Sequence, residues 1–431
     1  EGKWRRMFFL AASSMTVLGR GTKTFVREYI ARVTGKVTAI AALTALFLAT
    51  TSVAAQEPPI LKRSIREIEG LVRADSNDGY LHYYLALAHW KHHHWTETDS
   101  LLRLAIRFEP RLAEAYLALY HLPFSRRSSL AREVAERRVP RDWQPLVDEA
   151  EGFYKRAFRI NPLVSQEVLA IAYDIEEPKF DDPTTPAAQA YDLYLAWLTD
   201  FGLGRYSDAY LRLERLSQVR FQEARYPERV PNFILWYRSL AAAHAHRYFN
   251  ALWDLDTLVQ RGDKVEEQEL VHIPLQTNEY RFTFAVVQQR AGNLDRAMDV
   301  FKEAVQHDLG LTMAHTYMAV IYQEGGQMDS CLAERRRAAE VSPDDPVVLF
   351  EYAVSLFNGN QATEAEETVR RAVVLNPRYT PPYYLLGRIE EDLGRPTDAR
   401  ELYDRFLALA PHRLASLRAD AERHLVALKE E

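Results

Sequence analysis

Residues 346–379, PVVLFEYAVSLFNGNQATEAEETVRRAVVLNPRY, and residues 380–413, TPPYYLLGRIEEDLGRPTDARELYDRFLALAPHR, lie over one another without a gap. The fifteenth residues are Asn360 and Gly394, which tolerate the left-handed conformation of a tight turn. The twentieth are Ala365 and Ala399, and prolines Pro377 and Pro411 close the two copies. Two further copies, 278–311 and 312–345, precede them in the same frame, with Gly292 and Gly326 at the turn and Ala297 and Cys331 at the small position. Seven residues after the small position stand Ala304, Ala338 and Ala372, with Phe406 as the bulky exception. Pro343 closes the second copy, while Leu309 replaces proline in the first. Two helices approach closely only if the side chains at their crossing are small, and proline stops a helix by removing a backbone donor.

The pattern resembles the tetratricopeptide repeat, a unit of two short antiparallel helices recurring every 34 residues. The resemblance implies an all-α fold, an α-solenoid wound as a right-handed superhelix, whose first helices line an inner groove. Solenoids of this kind bury a core that grows linearly, so 431 residues need not divide into several globular domains.

Upstream the frame persists with interruptions. One unit runs from Gly79 to Leu112, and the next ends at Pro162 with Ala150, Tyr154 and Ala157 in place. An insertion at 123–147, rich in arginine and carrying Phe124 and Trp143, separates that unit's helices. Two more units are read from Ala190 and from Asn232, making about eight repeats. The proline-broken acidic stretch 176–186 and the segments 222–231 and 262–277 are expected connectors. The organisation expected is thus a leader at 1–55, repeats with the insertion at 56–222, an array at 232–411 and a capping helix at 412–431. A lone amphipathic helix at 60–74 is expected to cap the front.

Within the leader, the apolar run from Val37 follows five Lys/Arg and ends in Thr50-Thr51-Ser52-Val53-Ala54-Ala55. Basic region, short apolar core and small-residue exit describe a secretory signal peptide. The alternative is a retained anchor, since 37–55 is just long enough to span a bilayer, and contact with a membrane is expected only in that case. Residues 1–56 hold eight Lys/Arg and two Asp/Glu, which leaves 46 basic and 58 acidic residues and a net charge of −12. An acidic surface repels phosphate backbones, so nucleic acid is not the expected partner. The single Cys331 forms no internal disulfide and sits where the repeat packs alanine.

Three features carry chemistry. At position five of successive first helices stand Tyr83, Leu117, Tyr194, Trp236, Phe282, Thr316, Phe350 and Tyr384, with Trp90 two turns beyond Tyr83. The resemblance places this position on the groove, so Tyr83, Trp90, Tyr194, Trp236, Phe282, Phe350 and Tyr384 are expected to contact a peptide or protein partner. An aromatic there can equally pack against the next helix. The family's peptide-carboxylate clamp of Lys and Asn has no counterpart, because Glu391 and Asp392 occupy such places. Second, His89 and His93 stand four apart, a spacing that suits a divalent metal, yet the frame puts His92 to His94 at a turn, so neither metal nor cofactor is expected. Third, the arginine-rich insertion is either a contact element or a solvated basic helix. No phosphate loop, nucleophile elbow or metalloprotease motif is present, and the expectation is a non-enzymatic scaffold of the bacterial cell envelope.

Overall fold

The computed structural model describes residues 59–127, 130, 134, 138–172, 186–218, 230–262 and 273–430. The leader, most of the helix expected at 129–138 and the acidic stretch as far as Pro186 lie outside the described residues. All that is described belongs to one compact unit, Ala54–Glu431.

After a 3-10 turn at Pro59–Lys62, α1 (Ile65–Ala74) starts at a capping box: Ser64 Oγ accepts from Glu67 N–H, and the Glu67 carboxylate accepts from Ser64 N–H at 2.8 Å. Helix pairs then follow. They are α2 (Gly79–Lys91) with α3 (Trp95–Phe108), and α4 (Ala113–Arg126) with α5 (Gln144–Ile160). A short α6 (Val168–Ala172) leads to α7 (Pro186–Gly202) with α8 (Tyr206–Gln218), and α9 (Asn232–His244) with α10 (Tyr248–Arg261). The array continues as α11 (Thr277–Arg290) with α12 (Leu294–His307), and α13 (Thr312–Glu324) with α14 (Met328–Val341). Its last pairs are α15 (Pro346–Asn358) with α16 (Ala362–Leu375), and α17 (Pro381–Asp392) with α18 (Pro396–Leu409), before α19 (Ala415–Glu430). The fold is an all-α solenoid in which each helix packs chiefly on its neighbours in sequence.

The turn inside seven of the units rests on one left-handed residue. His93 (φ 58°), Gly204 (68°), His246 (58°), Gly292 (83°), Gly326 (72°), Asn360 (59°) and Gly394 (73°) all occupy the fifteenth place. Ala297, Ala365 and Ala399 are fully buried at the crossing, and Cys331 is 3% exposed. At the facing position Ala285, Ala319 and Ala353 are fully buried, and Gly387 is tighter still: a Cβ there would lie 2.6 Å from the Tyr403 ring.

Two boundaries differ from expectation. The insertion was expected to begin at Pro123, but α4 runs on to Arg126. Pro123 falls in the final turn, where its missing N–H forfeits only the bond to the Leu119 carbonyl, and its own carbonyl accepts from Arg127 N–H at 3.1 Å. The third unit's first helix begins at Pro186 rather than Ala190, proline being favoured in a first turn.

Candidate partner-binding surfaces

The aromatic row does not form an open face. Tyr83, Trp90, Trp236, Phe282, Phe350 and Tyr384 are all buried, none more than 5% exposed, and only Tyr194 is half-buried. Each ring is long enough to reach the neighbouring helix and is spent there. Phe282 lies 5.9 Å from Phe301 of its own unit and 5.6 Å from Tyr317 of the next. Phe350 meets Tyr379 edge-on at 5.7 Å, and Tyr384 packs on Tyr403 and Phe406. Tyr194 meets Trp197 and Phe233 edge-on. Trp90 donates its indole N–H to Ser125 Oγ at 3.1 Å. Trp236 is fully enclosed: its N–H donates to Tyr154 Oη at 3.2 Å, and Phe158 and Tyr280 stand 5.2 and 5.3 Å from its ring. Both Tyr154 and Phe158 belong to α5, so the second unit's own helix fills the space before α9.

A second closure joins the first units to the last. Arg159 on α5 donates to Glu279 at the start of α11 at 2.8 Å and to Asp308 at 2.9 Å. Arg156 reaches Asp345, the residue that caps α15, at 2.8 Å. Arg111 lies against Met313 and 3.5 Å from Glu351, which Arg335 also holds. Asn376 donates to the Arg107 carbonyl, and His412 N–H to Asp75, at 2.8 and 2.7 Å. Arg413 pairs with Asp78 and Glu109 and lies 5.0 Å over the Tyr80 ring. The polarity is consistent along most of the seam: arginines of α5 and the α3–α4 turn face carboxylates in the first turn of α11, the first two turns of α15 and the α12–α13 turn.

The histidines separate. His93 takes the left-handed turn position and its ring packs 5.1 Å from Trp95, so it does not join His89 as the spacing suggested. The nitrogen 3.0 Å from His89 Nδ1 is Nδ1 of His94 instead. No group of three metal-binding side chains occurs among the described residues. In the insertion, Phe124 is buried and Trp143 stacks under Arg127 at 5.5 Å. Cys331 is buried, and burial pushes its thiol up.

Besides that closure, two features escaped the sequence. Glu114 and Glu167, far apart in the chain, interact beside Tyr80, Tyr83, Tyr84 and Tyr206; burial first and then Glu167 raise the Glu114 carboxyl to about 7. On α10, Phe249 is 76% and Trp253 68% exposed, four residues apart with rings 6.4 Å from one another. Helical spacing could have flagged that pair, but it lies on a second helix, outside the first-helix row.

A family model for the tetratricopeptide repeat matches residues 380–413. Over 185 residues, 41% of this chain, the sequence is 28% identical to human Protein O-mannosyl-transferase TMTC1. The chain spans 21% of that relative's length. Among solved structures, a MamA RS-1 double mutant superposes with a TM-score of 0.34 at 16% identity, covering 41% of this chain and 93% of that one. YrrB, described as a TPR protein with an unusual peptide-binding site, gives a TM-score of 0.31 at 17% identity, covering 35% of this chain and 74% of its own.

Proposed function

We propose that this chain is a non-enzymatic protein-interaction scaffold of tetratricopeptide-type repeats, whose peptide or protein partner docks on the outer face of the fourth unit. The observation that carries this is the exposed pair Phe249 and Trp253. Single exposed apolar residues are ordinary, but two large rings side by side in water are a costly surface that partner contact would cover. Leu211 on α8 is also 44% exposed, and α8 is tied to α10 where Asn250, beside Phe249, donates to Tyr210 Oη at 3.0 Å. The inner aromatic row, by contrast, is spent on the core.

The test is capture of partners from cell extract by residues 56–431 and by the Phe249→Ser/Trp253→Ser variant. The expected result is an unchanged melting transition with loss of captured protein. An unchanged captured set sinks the assignment. We further propose export through the 37–55 segment, with the anchored form as the alternative. Mass spectrometry of the mature N-terminus decides between them, and a chain starting at Gln56 supports cleavage. No helix among the described residues is long and apolar enough to cross a membrane.

A further inference from the structure

A cavity of about 240 Å³ opens between α3, α4 and α5, beside the insertion and away from the Phe249–Trp253 strip. Its floor is apolar, made by Leu119, Leu122, Leu146 and Phe153, and Trp95 forms one wall. The volume is below that of a drug-sized pocket and suits a single large side chain.

The charges around it are unequal in their engagement. Arg103 is neutralised twice, by Asp99 at 2.9 Å and Glu149 at 3.0 Å, and its guanidinium lies 5.5 Å over Phe153. Both rim carboxylates are therefore in use. Arg126 is exposed at the end of α4 and pairs with no carboxylate among the described residues. Arg127 stacks on Trp143 and likewise has no carboxylate partner there. Pro123 also lines the cavity, as does Leu119, whose carbonyl receives no helical N–H from Pro123. The site thus offers an apolar socket with two arginines at its mouth.

We propose that this cavity is a docking site for an acidic peptide segment carrying one large apolar side chain. The side chain fills the socket, and flanking carboxylates meet Arg126 and Arg127. Charge complementarity selects this occupant. Asp99 and Glu149 are both engaged by Arg103, so the charge left at the mouth is that of Arg126 and Arg127, which pair with no carboxylate among the described residues and which an anionic segment would complete.

The test is fluorescence anisotropy on full chain with three labelled pentapeptides: Asp-Glu-Phe-Glu-Asp, its alanine-centred analogue and Lys-Lys-Phe-Lys-Lys. The acidic phenylalanine peptide is expected to bind at least about tenfold more tightly than either control, and to weaken as salt rises. Arg126→Glu/Arg127→Glu, on residues outside the core, should weaken it by about tenfold or more with the melting transition unchanged. Ser100→Trp, placed at the exposed rim, should block it by filling the socket. Phe249→Ser/Trp253→Ser should leave it intact, which separates this site from the one on α10. No binding, equal binding of the lysine or alanine peptide, or indifference to the arginine reversal or to Ser100→Trp overturns the proposal.

Discussion

The Arg159–Glu279 contact sets how firmly the first units hold the last, and removing Arg159 measures it. In Arg159→Met the apolar stem survives and the charge does not. Glu279, 5% exposed, then faces Asp308 with no cation between them. Breaking a fully buried pair costs about 3–5 kcal/mol, while an exposed pair is worth about 0–1. Arg159 is 35% exposed and Asp308 30%, so water takes up part of the loss, and about 2 kcal/mol is expected. Glu279→Gln keeps an acceptor for the Gln276 N–H that the carboxylate now binds at 3.0 Å, and leaves Arg159 with Asp308; about 1 kcal/mol is expected. The double variant should then recover about 1 kcal/mol relative to the sum. Urea unfolding of the four proteins gives the coupling, and repetition in 0.5 M salt should reduce it. Hydrogen exchange at residues 107–113 and 308–313 reports the seam directly and should rise in Arg159→Met. A coupling below about 0.3 kcal/mol with unchanged exchange would show that the contact closes nothing.

Three further outcomes follow from the packing. Trp236→Ala opens a cavity in the centre of the core and removes one of the hydrogen bonds to the Tyr154 hydroxyl, so a loss of about 3–5 kcal/mol is expected; an unchanged melting temperature would return Trp236 to the surface. Ala365→Leu must force α15 and α16 apart and should cost about 1–3 kcal/mol in thermal or urea unfolding, and no loss would mean the crossing is misplaced. Glu114, raised by burial and by Glu167, contributes stability that is complete below its unfolded pKa of about 4.5 and disappears as pH rises through about 7. Melting temperature should therefore fall across that window, less so in Glu114→Gln, and identical slopes would refute the assignment.

The repeat was legible because it is built from local requirements that recur at fixed distance. A left-handed fifteenth residue recurs in seven turns, and a small twentieth one at each crossing of the array from residue 278 on. His93 and His246 satisfy the turn without being glycine, and for His93 the frame already pointed to the turn although its spacing from His89 suited a metal. The aromatic row was visible too, but its direction was not. Whether a ring at position five faces a groove or the next helix depends on what stands opposite, and for Trp236 that is Tyr154, 82 residues away. The seam left no trace at all. Arg159 and Glu279 are separated by 120 residues, and Asn376 and Arg107 by 269, with ordinary loop and helix-end residues at each contact. Periodicity cannot report a pairing made once, between surfaces that meet only after the array has turned back on its start.

That closure bears on where a partner can act. A ligand for the inner face must first displace α5 and release the seam, and its apparent affinity falls by the fraction of molecules that are open. If closure is worth about 2–4 kcal/mol, that fraction is roughly one in thirty to one in several hundred. A ligand on the strip at Phe249 and Trp253 bears no such penalty, because those side chains are exposed in the closed form. The two cases respond oppositely to Arg159→Met. Weakening the seam enlarges the open population and should tighten an inner-face ligand by about tenfold or more, while an outer-face ligand should bind as before. Partner affinity measured for the parent chain and for Arg159→Met at the same ionic strength tells them apart, and tightening in the variant would refute docking on the outer face.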